Sequence, residues 1–435
     1  MKPQDDGRPQ PTRRGLVRAA AGLAAVGAGL GVGRVAEATV EGKTDDGLAR
    51  GDAIAIEPFW GDHQGGIVTS VQSHSYFAAL DLETVNRDDV IKMLRAWTAT
   101  AAHMAVGQTA APIGIDLTTP GPDTGEALGL PPARLTVTFG FGAGLFVKDG
   151  KDRFGLGAKR PSALVDLPRF NGDQLVEAST GGDLSIQACA DDPQVAFHAV
   201  RQLARLAYGR AKMRWAQTGY MTRPDGESTP RNLMGFKDGT SNPSVTDPKA
   251  MAQFVWVGDE GPDWMRGGSY VVVRRIRVAL EHWDRMKVAF QEQTIGRHKY
   301  SGAPLGGKHE LDPLDLNAND KDGNPVIPDS AHVRLAAAAS NDGAQILRRP
   351  YSYNDGVSFT AERWPPWRQG MEYDAGLFFI CYQRDPRTGF GKIFEKMAKF
   401  DMLNQFVTHT GGGLFACPGG IAKGEFIGQR LFEPA

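Results

Sequence analysis

The sequence predicts an α+β protein made of two domains of similar design. The chain has 435 residues, which is more than one hydrophobic core usually serves. A strand, helix, strand, helix rhythm occurs in the first half and again in the second. We therefore predict an N-terminal domain at 65–225 and a C-terminal domain at 226–435, which meet near the polar, Pro- and Gly-containing segment 223–232.

Apolar periodicity places the elements of the N-terminal domain. Alternating or continuous apolar residues indicate strands, and a period near 3.6 indicates helices. Asp88 and Asp89 suit the start of one helix, and Asp192 followed by Pro193 suits the start of another. The predicted elements are strands at 73–80, 135–142 and 183–190, and helices at 87–105 and 192–208.

The C-terminal domain shows the same rhythm. We predict strands at 268–277 and 376–383, and helices at 282–295 and 390–408. The intervening segment 301–330 is rich in Gly, Pro, Asp and Asn, and a stretch of that length without elements is usually functional or disordered.

Two glycine-containing segments resemble ligand loops but lack the required spacing. In 320–325, Pro325 stands at the sixth position, where a calcium loop needs glycine, so a turn is predicted. The glycines at 140–144 lack the third position of a dinucleotide loop, so a strand ending in turns is predicted.

Composition excludes some classes of protein. The net charge of −1 gives no strong field for nucleic acid. The three cysteines, Cys189, Cys381 and Cys417, are far apart and odd in number, so neither a disulfide framework nor a zinc site is predicted. Unpaired cysteines are typical of proteins that fold in a reducing compartment.

The N-terminal residues have the layout of an export signal. Arg13 and Arg14 precede an apolar, Ala- and Gly-rich run at 19–32, and Ala36-Glu37-Ala38 offers a small-x-small cleavage site. This order predicts a twin-arginine signal peptide at 1–38, with a run too short to span a bilayer. A loose polar segment at 39–64 follows. A disordered basic tail with a chance arginine pair is the alternative.

Three later segments combine residue types that catalysis uses. They are Gly235-Phe236-Lys237-Asp238-Gly239-Thr240-Ser241-Asn242-Pro243, His332-Val333-Arg334-Leu335 and Leu347-Arg348-Arg349. Each has a simpler explanation when taken alone: a turn, a structural histidine in an apolar strand, and a solvated arginine pair.

Taken together, these segments resemble the dye-decolourising haem peroxidases, in the branch associated with bacterial iron uptake and twin-arginine export. The family's GxxDG motif matches 235–239, its proximal-histidine segment matches 332–335, and its distal-arginine segment matches 347–349. The resemblance runs from about residue 65 to the C-terminus. Further matching segments are 182–190, 294–297, 301–305 and 415–418.

The resemblance implies a fold, a cofactor and an activity. It implies two ferredoxin-like domains, each an antiparallel sheet with packed helices, and one haem b per chain held in the C-terminal domain. The implied enzyme reduces hydrogen peroxide through a ferryl intermediate and oxidises dyes or other small one-electron donors. The implied partners are these substrates and the twin-arginine export machinery, without nucleic acid, and the mature protein would be periplasmic or extracellular.

Two other functions stay open at this point. A deferrochelatase-like protein would handle haem and release its iron without sustained turnover. A haem-free interaction module built on duplicated α+β domains would bind no cofactor. The sequence leaves the physiological reductant and the oligomeric state open.

The resemblance assigns His332 as the proximal ligand of the haem iron. The other ring nitrogen of such a ligand usually donates to an acceptor, which favours high-valent iron. We predict that Asp401, inside the helix expected at 390–408, is that acceptor; a surface carboxylate is the alternative.

Asp238 and Arg348 are the predicted catalytic residues. A carboxylate placed over the iron can move a proton from one peroxide oxygen to the other. Such a base works at lower pH than a histidine, so an acid optimum is expected. Arg348 is always charged and can stabilise the departing hydroxide, whereas the adjacent Arg349 should face the other way along a strand.

Four further residues are predicted to bind the cofactor. Gly239, Thr240 and Ser241 allow close backbone approach to the porphyrin edge and offer hydroxyls to a propionate. Arg297 is a second propionate candidate by charge, with a surface ion pair as its alternative. Related sequences often carry Asn-Pro-Arg in the stretch occupied here by 337–341, so a side-chain contact to a propionate from that stretch is not expected.

Bulky donors cannot reach a buried iron, so aromatic residues are conceivable electron relays. Core packing is the favoured interpretation for each of them. The candidates are Tyr351, Tyr353, Trp364, Trp367 and Tyr382.

Overall fold

The computed structural model describes residues 55–114, 118–222, 229–361 and 369–433. The predicted signal peptide and the candidate relays Trp364 and Trp367 lie outside the described residues. Among the helices of these ranges, none combines the length and hydropathy that a membrane span needs.

The N-terminal half is a ferredoxin-like domain, as expected. Its strands pair antiparallel in the spatial order β2-β3-β1-β4, and its two long helices pack against each other. In chain order its elements are β1 (His74–Leu82), α1 (Arg87–Ala105), β2 (Thr136–Phe141), α2 (Ala143–Phe146), β3 (Leu184–Ala190), α3 (Pro193–Leu206) and β4 (Ala211–Tyr220).

Side chains cap the N-termini of the two long helices of this domain. Asn86 accepts a hydrogen bond from the backbone N–H of Asp88, and Asp192 accepts from the N–H groups of the first turn of α3. The indole of Trp97 in α1 donates to the carbonyl of Leu203 in α3 at 2.8 Å. These contacts hold the helix pair over the sheet.

The C-terminal half repeats the ferredoxin-like order. Its sheet runs β9-β5-β8-β7, and the two-residue strand β6 pairs with the C-terminal end of β8 on the same edge as β7. The elements are α4 (Pro248–Phe254), β5 (Ser269–Val278), α5 (Leu280–Trp283), α6 (Val288–Ile295), α7 (His332–Ala336), β6 (Leu347–Arg348), β7 (Tyr351–Ala361), β8 (Gln369–Gln383), α8 (Lys392–Phe400), β9 (Val407–Cys417) and α9 (Gln429–Phe432).

The two sheets are joined edge to edge and share a hydrophobic core. One residue pair, Phe141 with Ala416, links β2 to β9, and another, Tyr220 with Ser352, links β4 to β7. Phe77 of β1 contacts rings from both β8 and β9 across the interior. The three cysteines lie buried and unpaired in the described strands.

Two predicted helices differ from the structure. The helix expected at 282–295 is broken into α5 and α6, because the side-chain amide of Gln291 donates to the Trp283 carbonyl and replaces a helical bond. The helix expected at 390–408 ends at Phe400, where the Asp401 carboxylate accepts the N–H of Leu403 and caps a separate turn. Val407 then begins β9, a strand that was not predicted.

Other local predictions have mixed outcomes. The turn at 320–325 is confirmed, since Asp320 accepts from the N–H groups of Asp322 and Asn324. Across the described residues, no cluster of His, Cys, Asp and Glu is arranged to hold a metal ion. The strand predicted at 135–142 was expected to end in turns, and it is followed by the single helical turn α2. The strands β4 and β7 were not predicted. His332 was placed in a strand but begins α7.

Candidate active site

A cavity of about 440 Å³ lies on the face of the C-terminal sheet that points away from the N-terminal sheet. Because side chains alternate along a strand, Leu377 of β8 faces the cavity while the next residue, Phe378, fills the shared core; Ile276 of β5 lines the same cavity. Helices α7 and α8 form the facing wall. The cavity therefore lies between the second sheet and its helices.

Asp238 and Arg348 meet at this cavity. The Arg348 Nη1 lies 3.0 Å from the Asp238 Oδ1, although 110 residues separate them in the chain. We call the segment 235–239, which contains Asp238, the aspartate loop. Its first and last residues, Gly235 and Gly239, have φ values of 84° and 122°, a region that favours glycine. These two glycines turn the chain so that the carboxylate between them points toward Arg348.

His332 and Asp401 form a second pair on the cavity wall, with the carboxylate buried and the imidazole partly exposed to the cavity. The His332 Nδ1 lies 2.7 Å from the Asp401 Oδ2, which confirms the predicted contact. Burial disfavours the charged imidazole, but attraction to the carboxylate outweighs it, so the pKa of His332 is raised. The Asp401 carboxyl group is only 3% exposed, so it is not a surface carboxylate. Asp401 follows α8 rather than lying within it.

A cationic, hydroxyl-bearing wall lies beside the aspartate loop. Arg297 is buried, which contradicts the surface ion pair; it donates to the carbonyls of Gly302 and Glu310 and approaches the Ser241 hydroxyl at 3.5 Å. Burial lowers the pKa of Arg297 more than the Glu310 carboxylate raises it. Among the described residues, the buried Thr240 Oγ1 has no hydrogen-bond partner. This wall is suited to an anionic group.

Arg349 points away from the cavity, as the strand alternation predicts. Its guanidinium donates to the Thr69 carbonyl and to the Gln72 side chain, both in the N-terminal half. Three relay candidates, Tyr351, Tyr353 and Tyr382, are each 1% exposed and belong to the hydrophobic core between the sheets. Core packing is therefore their evident role in the structure.

The stretch 337–341, which follows α7 and differs from related sequences, contributes alanine side chains to the cavity. Ala337 and Ala338 line the cavity with methyl groups. The amide of Asn341 turns back and donates to the carbonyls of Leu335 and Ala337. The side chains of this stretch thus hold α7 in place.

Sequence reasoning missed two residues near the site. Asn242 was interpreted only as half of an Asn-Pro turn pair, but its side chain bonds to the backbone of Arg348. His409 lines the cavity from β9 and contacts the Phe394 ring in a tilted arrangement, with ring centroids 4.7 Å apart. Asn242 lies three residues after the GxxDG motif, but its contact with a backbone 106 residues away has no signal in the sequence, and the position of His409 depended on a strand that was not predicted.

Comparison with known proteins identifies the family. The model for the N-terminal part of Dyp-type peroxidases matches residues 64–221, and the model for the C-terminal part matches residues 229–422. The chain belongs to the Dyp-type peroxidase family. Membership confirms the expected enzyme class, a haem peroxidase.

Relatives match along nearly the whole peroxidase chain. A dye-decolorizing peroxidase of Thermobifida fusca is 36% identical over all of both chains. A deferrochelatase of Escherichia coli K12 is 34% identical over 99% of each chain. The crystal structure of a DyP-type peroxidase from Streptomyces coelicolor has a TM-score of 0.78 at 40% identity, covering 87% of this chain and 98% of the other. This likeness agrees with the two-domain ferredoxin-like fold.

Proposed function

We propose that the 440 Å³ cavity binds the haem of this peroxidase, with His332 as the iron ligand. The observation that carries the proposal is the meeting of two preorganised pairs, Asp238 with Arg348 and His332 with Asp401, on the walls of one cavity. A supported imidazole and a base paired with a cation are the groups that peroxide cleavage at haem requires.

The residues of the cavity fit haem. Its walls are mainly apolar, which suits a porphyrin, and its volume falls in the usual range for cofactor sites. Arg297 and Arg348 supply positive charge, and the unsatisfied buried hydroxyl of Thr240 requires a partner that the described residues do not provide. We infer that Gly239, Thr240, Ser241 and Arg297 face the propionates.

The side chains then have separate tasks. Haem, when bound, supplies an iron that exchanges electrons with hydrogen peroxide and with the donor. Asp238 accepts a proton from one peroxide oxygen and delivers it to the other. Arg348 donates hydrogen bonds to the oxygen on which negative charge develops. Asp401 accepts the Nδ1–H of His332 and so directs its Nε2 into the cavity.

The absorption spectrum before and after one equivalent of hydrogen peroxide tests these assignments. We expect the purified protein to show a Soret band that changes rapidly with peroxide. Asp238→Ala and Arg348→Ala should retain the band and lose the rapid change, whereas His332→Ala should lose the haem itself. Unchanged kinetics in both distal variants would contradict the assignment.

Release of iron from haem is a second candidate function, favoured by the 34% identity with a deferrochelatase over 99% of both chains. It predicts iron release that leaves intact, metal-free porphyrin. Fluorescence of free porphyrin after incubation with haem, without peroxide, would reveal it. Sustained peroxide-dependent oxidation of a dye without porphyrin fluorescence would exclude it as the main activity.

We also propose that the protein is exported by the twin-arginine route. The support is the order of Arg13, Arg14, the apolar run at 19–32 and the Ala36-Glu37-Ala38 site in the sequence. Replacing both arginines by lysine should retain the precursor inside the cell, while the unchanged chain is processed near Ala38. Equal processing of both proteins would contradict the proposal.

A further inference from the structure

Asn242 binds the backbone of Arg348 through both ends of its side-chain amide. Its Nδ2 donates to the Arg348 carbonyl at 2.7 Å, and its Oδ1 accepts the Arg348 N–H at 3.1 Å. The two bonds join segments that are 106 residues apart in sequence. This reciprocal pattern needs both a donor and an acceptor, so the amide of asparagine satisfies it and a carboxylate does not.

The Asn242 amide takes the place of a neighbouring strand at the free edge of β6. β6 is two residues long and pairs with β8 on one side only, through Leu347 with Tyr382 and Arg348 with Cys381. Unpaired backbone groups at a sheet edge need partners. The Asn242 amide bonds the outward N–H and C=O of Arg348 as a neighbouring strand would. The position of the arginine along β6 is thereby defined.

The same loop also carries the carboxylate that pairs with Arg348. The N–H of Asn242 donates to the Gly239 carbonyl at 3.0 Å, which closes a tight turn directly after Asp238. The two ends of one five-residue segment, Asp238 and Asn242, therefore contact the guanidinium and the backbone of Arg348, respectively. Asn242 does not line the 440 Å³ cavity but lines an adjoining cavity of about 270 Å³ with Asp238 and Arg348, and both ends of its side chain bond to the Arg348 backbone.

We propose that Asn242 is a positioning residue of this peroxidase, which sets the location of the Arg348 guanidinium relative to Asp238. The inference rests on the proposed roles of Asp238 and Arg348. Small displacements of preorganised groups can cost about 100-fold in rate. The effect should appear in the peroxide step and leave the binding of haem unchanged.

The decisive variant is Asn242→Asp, which keeps the size and the acceptor but places an oxygen against the Arg348 carbonyl. We expect the rate constant for the peroxide-induced Soret change, per bound haem, to fall by about 10- to 100-fold. Haem content should stay at the level of the unchanged protein. Asn354→Asp is the matched control, because Asn354 is an exposed residue of β7 whose Oδ1 acceptor survives the change.

A double variant distinguishes the positioning of Arg348 by Asn242 from a general loss of structure. In the Arg348→Ala background, Asn242→Asp should cause little further loss of rate, because the side chain that it positions is gone. A crystal structure of Asn242→Asp should show a longer separation of Arg348 Nη1 and Asp238 Oδ1 than 3.0 Å. This second readout does not depend on turnover.

Several results would overturn the inference. An unchanged rate per haem in Asn242→Asp would do so, as would an equal loss of rate in both backgrounds. Lower haem content with an unchanged rate per haem would assign Asn242 a purely structural role. If the unchanged protein itself gave no rapid Soret change, the proposed function would fail instead.

Discussion

The His332 Nδ1 and the Asp401 Oδ2 lie 2.7 Å apart, with the carboxylate almost fully buried behind the imidazole. The other carboxylate oxygen accepts the N–H of Leu403 at 2.8 Å, so both oxygens are engaged and the group cannot rotate freely. The imidazole is therefore oriented before any cofactor enters.

Replacing Asp401 by Asn should weaken the support of His332. The amide removes the negative charge behind the imidazole, which makes the ring a poorer electron donor to iron. We expect a higher haem reduction potential and a loss of activity of about 10- to 100-fold. Spectroelectrochemical titration and steady-state dye oxidation measure the two effects. Asp329→Asn, at an 85% exposed side chain, is the control; an equal shift in potential there would contradict the prediction.

Removal of the proton acceptor should slow the peroxide step strongly. Asp238→Ala is expected to lower the rate of the Soret change by about 10²- to 10⁴-fold. The acid optimum expected from the sequence would appear as a faster reaction of the unchanged protein below neutral pH than above it. Stopped-flow measurements across pH 4–9 would show this. A maximum well above neutral pH would refute the carboxylate base.

Thr240→Val should have opposite effects on the haem-free and the haem-bound protein. The Thr240 hydroxyl is buried without a partner among the described residues, and such a group costs about 1–3 kcal/mol. Valine should therefore raise the thermal stability of the haem-free protein. If the hydroxyl contacts a propionate, haem transfer to apomyoglobin should become faster. Faster unfolding of the haem-free variant, or unchanged haem transfer, would disagree.

His409 should make the protein less stable in acid. Burial and the nearby Arg274 charge lower the pKa of His409 from 6.5 to about 3. Below pH 6.5 the His409 imidazole binds a proton in the unfolded chain, whereas in the folded chain it does so only near pH 3. The free energy of unfolding therefore falls as pH decreases through this window. The loss is about 1.4 kcal/mol per pH unit.

Urea unfolding of the haem-free protein at several pH values tests this prediction. His409→Leu should flatten the decline below pH 6.5. Phe394→Leu removes the ring that contacts His409 but exchanges no proton, so it should shift stability equally at all pH values. Parallel curves for the unchanged protein and His409→Leu would contradict the assignment.

The sequence indicated which residues meet at the cavity better than it indicated the architecture around them. Asp238, His332 and Arg348 were singled out through the family resemblance of three short motifs, and the structure places all three on one cavity. The end of α8 was missed because a helical pattern continues past Phe400, and only the capping contact of Asp401 with Leu403 shows where it stops. The break after Trp283 likewise depends on Gln291, a bond that periodicity cannot show.

The secondary role of Asn242 was beyond sequence reasoning for a different reason. Its partner is the backbone of Arg348, which carries no residue-specific signal, and the pairing spans 106 positions. The α+β class and two-domain design, in contrast, followed from patterns repeated in each half. Local patterns therefore predicted the elements, and contacts between distant segments determined how those elements form the site.

The edge pairing of Phe141 with Ala416 has a consequence for the order of events during synthesis. β9 emerges from the ribosome last among the strands of the described residues, yet it pairs with β5 along its length and with β2 at its end. Pairings between such distant segments form slowly. Val407 and His409 of the same strand line the cavity, so the cavity is complete only after β9 has been made. Capture of haem in this proposed site would therefore follow the synthesis of β9, and a chain truncated before β9 would lack this wall.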